Sequence, residues 1–140
     1  MITDALGQET RLGHDTLGRQ TSATDPLGYS RAQQYNAIDQ PTQATNALQQ
    51  NTTISYNSAG RLLAVTNPAG VAIESYTYDA QGRLTKTTDA LAQATTTEYD
   101  SSNRPIRVTD RKGQATTIAY TQRGQVASIT TSGGKAVSYH

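Results

Sequence analysis

Tyr78-Asp79-Ala80-Gln81-Gly82-Arg83-Leu84 decides how this chain folds. A short polar residue with glycine three places later is the signature of a type I turn. A type I turn followed by a left-handed residue closes a β-hairpin through a bulge. The same signature recurs along all 140 residues. Turns are predicted to begin at Asp4, Asp15, Asp25, Asn36, Asn46, Asn57, Asn67, Asp79, Asp89, Asp100, Asp110, Thr121 and Thr131. Three places on stand Gly7, Gly18, Gly28, Asp39, Gln49, Gly60, Gly70, Gly82, Ala92, Asn103, Gly113, Gly124 and Gly134. Pro26 and Pro68 occupy the second turn position, where the fixed φ of proline fits.

The repeat is longer than one turn. Thr3, Thr24, Thr45, Thr66, Thr88, Thr109 and Thr130 are spaced by 21 residues, with a single spacing of 22 after Thr66. An aromatic marker follows at His14, Tyr35, Tyr56, Tyr78, Tyr99 and Tyr120. Five places past it comes Arg19, Arg61, Arg83 or Arg104, with Gln40 and Gln125 in the other copies. A fixed period sets the architecture before any single residue does. Each unit holds two turns and two short segments, so each unit is one hairpin. The expectation is one all-β array over 1–140, about six 21-residue repeats, forming part of a longer array. Ser138-Tyr139-His140 matches Ser75-Tyr76-Thr77, which predicts that the chain stops within a repeat.

Composition narrows the class. Leu, Ile, Val and Phe total 21 residues and 18 more are Ala, so no thick apolar core is available. Net charge is only +1, which separates the chain from highly charged disordered sequences. With 23 Thr and 13 Gln, the strands are expected to be wet on their faces, with threonine favoured for its fit to a pleated surface. No apolar run reaches the length of a membrane helix, and no signal-peptide core stands at the start. The charge balance gives no electrostatic footprint for nucleic acid. Cysteine is absent, so disulfide and thiol chemistry are excluded.

Period-2 alternation marks the strands. Leu63 with Val65, Ile106 with Val108, and Ala127 with Ile129 are expected on one face. Leu62 with Ala64, Leu84 with Lys86, and Arg107 with Thr109 are expected on the other. Ile54 with Tyr56, Tyr76 with Tyr78, and Ile118 with Tyr120 should share a face on the returning strands. The Gln-rich stretch 31–50 is the weakest in pattern and is still read as strand. Thirteen such strands make a meander that should coil into a ribbon, because strands twist with one hand. Tyrosines should stack between repeats. Each arginine should reach the acid of its own or the next hairpin. Unpaired strand edges at both ends predict self-association of an isolated array.

Candidate chemistry is thin. The turn carboxylates come singly, about ten residues apart, unlike the clustered oxygens of a calcium site. His14 holds an aromatic repeat position, which suits stacking rather than catalysis, and His140 is terminal. No nucleophile elbow and no phosphate-binding glycine cluster occurs. No catalytic, cofactor-binding or metal-binding residue is therefore expected. Exposed tyrosine rows can stack on sugar rings, so an extracellular carbohydrate- or cell-surface-binding module is the competing reading.

The unit Tyr-Asp-x-x-Gly-Arg-Leu at Tyr78–Leu84, matched at Tyr56–Leu62 and more loosely at Tyr99–Pro105, with His14 for Tyr before Asp15–Arg19 and degenerate copies at Tyr35–Gln40 and Tyr120–Gln125, makes six copies in register that resemble the RHS/YD repeat family. The resemblance implies a β-ribbon wound into a hollow shell that encloses a C-terminal toxin in bacterial polymorphic toxins, including type VI secretion effectors and insecticidal toxin complexes. Related repeats occur in teneurins. It further implies, as partners, the rest of the shell, the enclosed toxin and secretion machinery, and it implies secretion or delivery to target cells. Asp25-Pro26-Leu27-Gly28-Tyr29 resembles part of the self-cleavage stretch of such shells. It departs at Gln20, where the family has Pro, and at Tyr29, where it has Leu, and it falls in register with ordinary repeat turns.

Overall fold

A computed structural model describes residues 1–134 and 136–138. Tyr139 and His140, on which the mid-repeat reading of the chain's end rests, lie outside the described residues. Among the described residues the chain is fourteen β-strands joined by tight turns, without a helix. It divides into two compact units, Met1–Ile73 and Glu74–His140.

The first unit contains β1 (Ile2–Thr3), β2 (Glu9–His14), β3 (Gln20–Thr24), β4 (Ser30–Tyr35), β5 (Pro41–Thr45), β6 (Asn51–Tyr56) and β7 (Leu62–Thr66). Each strand pairs antiparallel with the next, so spatial order equals chain order. The boundary falls within β8 (Ala72–Tyr78), whose seven residues take up the extra residue of the 22-residue spacing. The second unit continues with β9 (Leu84–Asp89), β10 (Ala94–Tyr99), β11 (Pro105–Thr109), β12 (Ala115–Tyr120), β13 (Val126–Thr131) and β14 (Ala136–Ser138). It follows the same antiparallel rule. The Gln-rich stretch forms β4 and β5 as expected.

All thirteen predicted turns form. The N–H of the fourth residue donates to the carbonyl of the first at 2.9–3.3 Å. In the twelve from Asp4 to Thr121, the first residue's N–H donates to the carbonyl four places on, at 2.8–3.1 Å. The fourth residue is left-handed in every case, with φ between 73° and 87° for the glycines and between 60° and 63° for Asp39, Gln49, Ala92 and Asn103.

The sheet has no core. No described residue is buried, and both faces of each unit meet solvent. Sequence had indicated a thin core; the outcome is a single layer. Order must then come from ladder hydrogen bonds, from turns and from side chains that reach along the array.

One expectation about faces is corrected. The pairing slips by one residue at every aromatic marker, between Gly13 and His14, Gln34 and Tyr35, Ser55 and Tyr56, Thr77 and Tyr78, Glu98 and Tyr99, and Ala119 and Tyr120. Ser55 faces Ala64 and Tyr56 faces Leu62, so Leu63 is the unpaired extra residue. Leu62 and Ala64 therefore lie on opposite faces, as do Leu84 and Lys86, because a bulge interrupts the alternation. Ile106 and Ala127 are the corresponding extra residues of their strands. Arg107 and Thr109 do share a face.

Candidate functional site

The preference for Asp or Asn at the turn has a direct cause. In all eleven such turns, Oδ1 accepts the backbone N–H groups two and four places on, at 2.8–3.0 Å. The side chain thus satisfies two N–H groups that the bulge leaves without strand partners. Thr121 does half of this, accepting the Gln125 N–H at 3.2 Å. Asp25 is one of these capped turns, so Asp25-Pro26-Leu27-Gly28 has the geometry of its neighbours.

An aspartate has a second oxygen left over, and the repeat uses it. Asp15 Oδ2 accepts Arg19 Nε at 2.6 Å, Asp79 Oδ2 accepts Arg83 Nε at 2.7 Å, and Asp100 Oδ2 accepts Arg104 Nε at 2.8 Å. Held from below, each guanidinium projects toward the following repeat. Arg19 Nη1 donates to the Asn36 carbonyl at 2.9 Å and to Asp39 Oδ1 at 2.7 Å. Arg83 Nη1 donates to the Asp100 carbonyl at 3.1 Å and to Asn103 Oδ1 at 2.9 Å. The guanidinium carbons of Arg19, Arg83 and Arg104 lie 4.9, 4.7 and 4.4 Å from the ring centres of Tyr35, Tyr99 and Tyr120. That is within the range of a cation–π contact.

The tyrosine hydroxyl then reaches back. Tyr35 Oη donates to the Gln20 carbonyl at 3.1 Å, Tyr56 to Pro41 at 2.8 Å, Tyr99 to Leu84 at 3.0 Å and Tyr120 to Pro105 at 2.9 Å. Acid, cation and phenol therefore form a ladder within each unit, in which one repeat grips the next. The expected stacking of tyrosines between repeats is thus replaced by stacking beneath arginine. The expected reach of arginine to its own and the next hairpin is what the structure shows.

Gln40, which breaks the arginine pattern in sequence, is chemically equivalent. Its Oε1 accepts Asn36 Nδ2 at 3.1 Å while its Nε2 donates to the Gly60 carbonyl at 2.7 Å. The amide pair copies the ion pair.

The electrostatics follow from this geometry. Partial burial pushes the Asp15 carboxyl upward, yet hydrogen bonds from the Arg19 side chain and from the Arg19 and Leu17 N–H groups outweigh it, and the net shift is downward. Asp79 is lowered in the same balance by the Arg83 N–H and guanidinium. Asp100 is lowered chiefly by the Arg104 N–H and then by its guanidinium. Outside the ladder, a hydrogen bond to the Glu74 carboxylate, with burial, pushes Tyr76 up to about 12.

Oδ1 of every Asp or Asn turn residue is engaged by its own backbone, and the described residues contain no group of three or more His, Asp or Glu that could hold a metal ion. His14 is exposed in a strand position homologous to the tyrosines. Among the described residues no helix is long and apolar enough to cross a membrane.

The family model of the teneurin YD-shell matches residues 13–140. The chain belongs to the teneurin YD-shell family. The Tyr-Asp pair that names this family consists of the ladder's phenol and its turn-capping acid. No curated protein sequence matches the chain. Among solved structures it resembles the TcdB2-TccC3 crystal structure, with TM-score 0.56 and 15% identity over 87% of this chain and 8% of that one. The form without the hypervariable C-terminal region gives TM-score 0.56 and 16% identity over 87% and 8%. The TcdB2-TccC3-TEV structure gives TM-score 0.52 and 15% identity over 90% and 9%. At this identity the likeness establishes the fold, and the chain spans under a tenth of each neighbour's length. Membership of a YD-shell family supports a shell-type structural role.

Proposed function

We propose that this chain is a wall segment, about six repeats long, of a larger YD-repeat shell that encloses a toxin domain and keeps it sequestered until delivery to a target cell. The observation that carries this reading is the combination of a coreless single layer with side-chain links running from repeat to repeat. A globular catalyst needs a dry interior to hold reacting groups still. A wall needs only lateral cohesion, and lateral cohesion is what the Asp–Arg–Tyr ladder supplies. The parent protein is then secreted or delivered, by a type VI or toxin-complex route, with secretion proteins as partners.

The test is protease protection of the cargo inside the full-length parent protein. Cargo within the intact array should resist digestion, and replacing Arg19, Arg83 and Arg104 together by Ala should expose it. Cargo that is digested at the same rate with and without the array overturns the proposal.

A further inference from the structure

Hairpin tips are ordinarily polar, because a turn projects into water and has nothing to pack on. One edge of the first unit departs from that rule. The turns that join β1 to β2, β3 to β4 and β5 to β6 carry the tip pairs Ala5-Leu6, Pro26-Leu27 and Ala47-Leu48. The three leucines are 84%, 83% and 74% exposed. The next tip on this edge, Pro68-Ala69, is apolar as well.

The turn itself does not ask for the leucines. Asp100-Ser101-Ser102-Asn103 and Asp110-Arg111-Lys112-Gly113 close with the same hydrogen bonds on polar tips. Neighbouring turns do not hold the leucines either. On the opposite edge a methyl placed on Gly60 would meet Ile38 Cδ1 at 3.2 Å, so Ile38 rests on the following turn. On the leucine edge a methyl placed on Gly7, Gly28 or Gly70 would meet nothing within 4 Å, so these turns stand apart. Exposed hydrophobic residues scattered singly need no explanation, but a row of them marks an interaction surface.

Spacing decides what the row fits. Leu6, Leu27 and Leu48 are separated by 21 residues at both steps. Each step crosses two strand spacings, about 10 Å. Three equally spaced knobs are their own complement about a two-fold axis through the middle one. We infer that the leucine edge is a docking surface for the same edge of a second copy of this chain, with the axis at Leu27. Leu27 then lies beside the partner's Leu27, and Leu6 beside the partner's Leu48. The acids at the bases of these turns direct Oδ1 back to their own backbone, Asp4 to Leu6 and Gln8, Asp25 to Leu27 and Tyr29, which leaves the tips uncharged. A contact between identical patches closes at two copies, whereas pairing of the end strands β1 and β14 would add copies without limit. An edge three repeats long falls at the small end of interfaces, below about 1,200 Å² in total, so the dimer should form in the micromolar range. This contact depends neither on the shell role nor on enclosed cargo.

The chain has no cysteine, so introduced thiols report the contacts one at a time. In sedimentation velocity the unaltered chain should pass from monomer to dimer as its concentration rises through the micromolar range. Leu27→Ser should weaken that dimer about tenfold or more, and Leu17→Ser, which alters an exposed leucine of the opposite edge, should leave it unchanged. Far-UV circular dichroism of both variants should match the unaltered chain, which shows that the loss is not unfolding. Under mild oxidation Leu27→Cys should cross-link to itself, whereas Leu6→Cys and Leu48→Cys should cross-link only when mixed. A chain that stays monomeric up to millimolar concentration overturns the inference. So does open-ended growth, which marks the end strands. Cross-linking of Leu27→Cys to Leu17→Cys in preference to itself also overturns it, because it marks a contact between unlike edges.

Discussion

Replacing Ala92 by glycine should stabilise this protein, whereas the same change at Asn103 should not. Both residues hold the left-handed corner of their turns, at φ 60° and 63°. A left-handed conformation costs an L-residue about 1–2 kcal/mol. Glycine removes that strain but costs roughly 0.4–1 kcal/mol through the freedom it gains in the unfolded chain. The net gain for Ala92→Gly is then about 0.5–1 kcal/mol, since no side-chain bond of Ala92 is lost. Asn103 differs because its Oδ1 accepts Arg83 Nη1 at 2.9 Å. Glycine there forfeits a hydrogen bond from a charged donor, worth about 1.5 kcal/mol or more, so Asn103→Gly should be neutral to destabilising. Asn also tolerates the left-handed region better than Ala does. The assay is urea denaturation followed by far-UV circular dichroism, with the slope compared between variants so that a midpoint shift reads as stability. Gln49→Gly relieves the same strain but removes the long Gln49 Nε2 bond to the Ser30 carbonyl at 3.4 Å, so its gain should be smaller, and the two effects should add because the turns share no partner. A lower midpoint for Ala92→Gly, or an equal gain at Asn103, refutes the account of how corner strain is offset.

Tyr120→Phe keeps the ring beneath Arg104 and removes the hydroxyl bond to the Pro105 carbonyl, so it should lower stability by about 0.5–1.5 kcal/mol in the same assay. Asp15, Asp79 and Asp100 have folded pKa values below their unfolded value of 3.8, so their contribution is complete above that pH and is lost as pH falls through the lowered values. Acid denaturation should therefore set in below about pH 4, and the stability gap between the unaltered chain and Arg83→Gln should close there. Absorbance titration at alkaline pH should show one tyrosine ionising near 12, and Glu74→Gln should move it back toward 10. Because the folded value is raised, this interaction stabilises the protein below pH 10 and is lost as pH climbs from 10 to 12.

The turns were fully legible in the sequence because their chemistry is local. Even Gln49 and Ala92, poor residues for a left-handed corner, could be placed by spacing alone. What escaped was the bulge at each aromatic marker. Its signal was present as the alternation of turn spacings between ten and eleven residues, as from Asp15 to Asp25 and from Asp25 to Asn36. Simple period-2 reading cannot use that signal, so Leu62 and Leu84 were assigned to the wrong partners. The ladder was half visible. Own-turn pairing of Arg19 with Asp15 follows from spacing, but the seat of its guanidinium over Tyr35 depends on which face the bulge presents. Gln40 looked degenerate because sequence compares residue types, whereas the fold asks only for a donor of sufficient reach.

The division of labour between the two carboxylate oxygens shapes how such an array can change over time. Oδ1 alone secures the corner, so Asp and Asn exchange freely without disturbing the backbone, as Asp15 and Asn36 illustrate. The other atom decides the mate: oxygen accepts Arg19, and nitrogen donates to Gln40. Asp and Asn codons differ by one base, as do several Arg and Gln codons. A copy can thus drift from ionic to amide coupling in two single-base steps while its corner stays intact throughout. Long arrays built this way can diverge in sequence far faster than they diverge in shape.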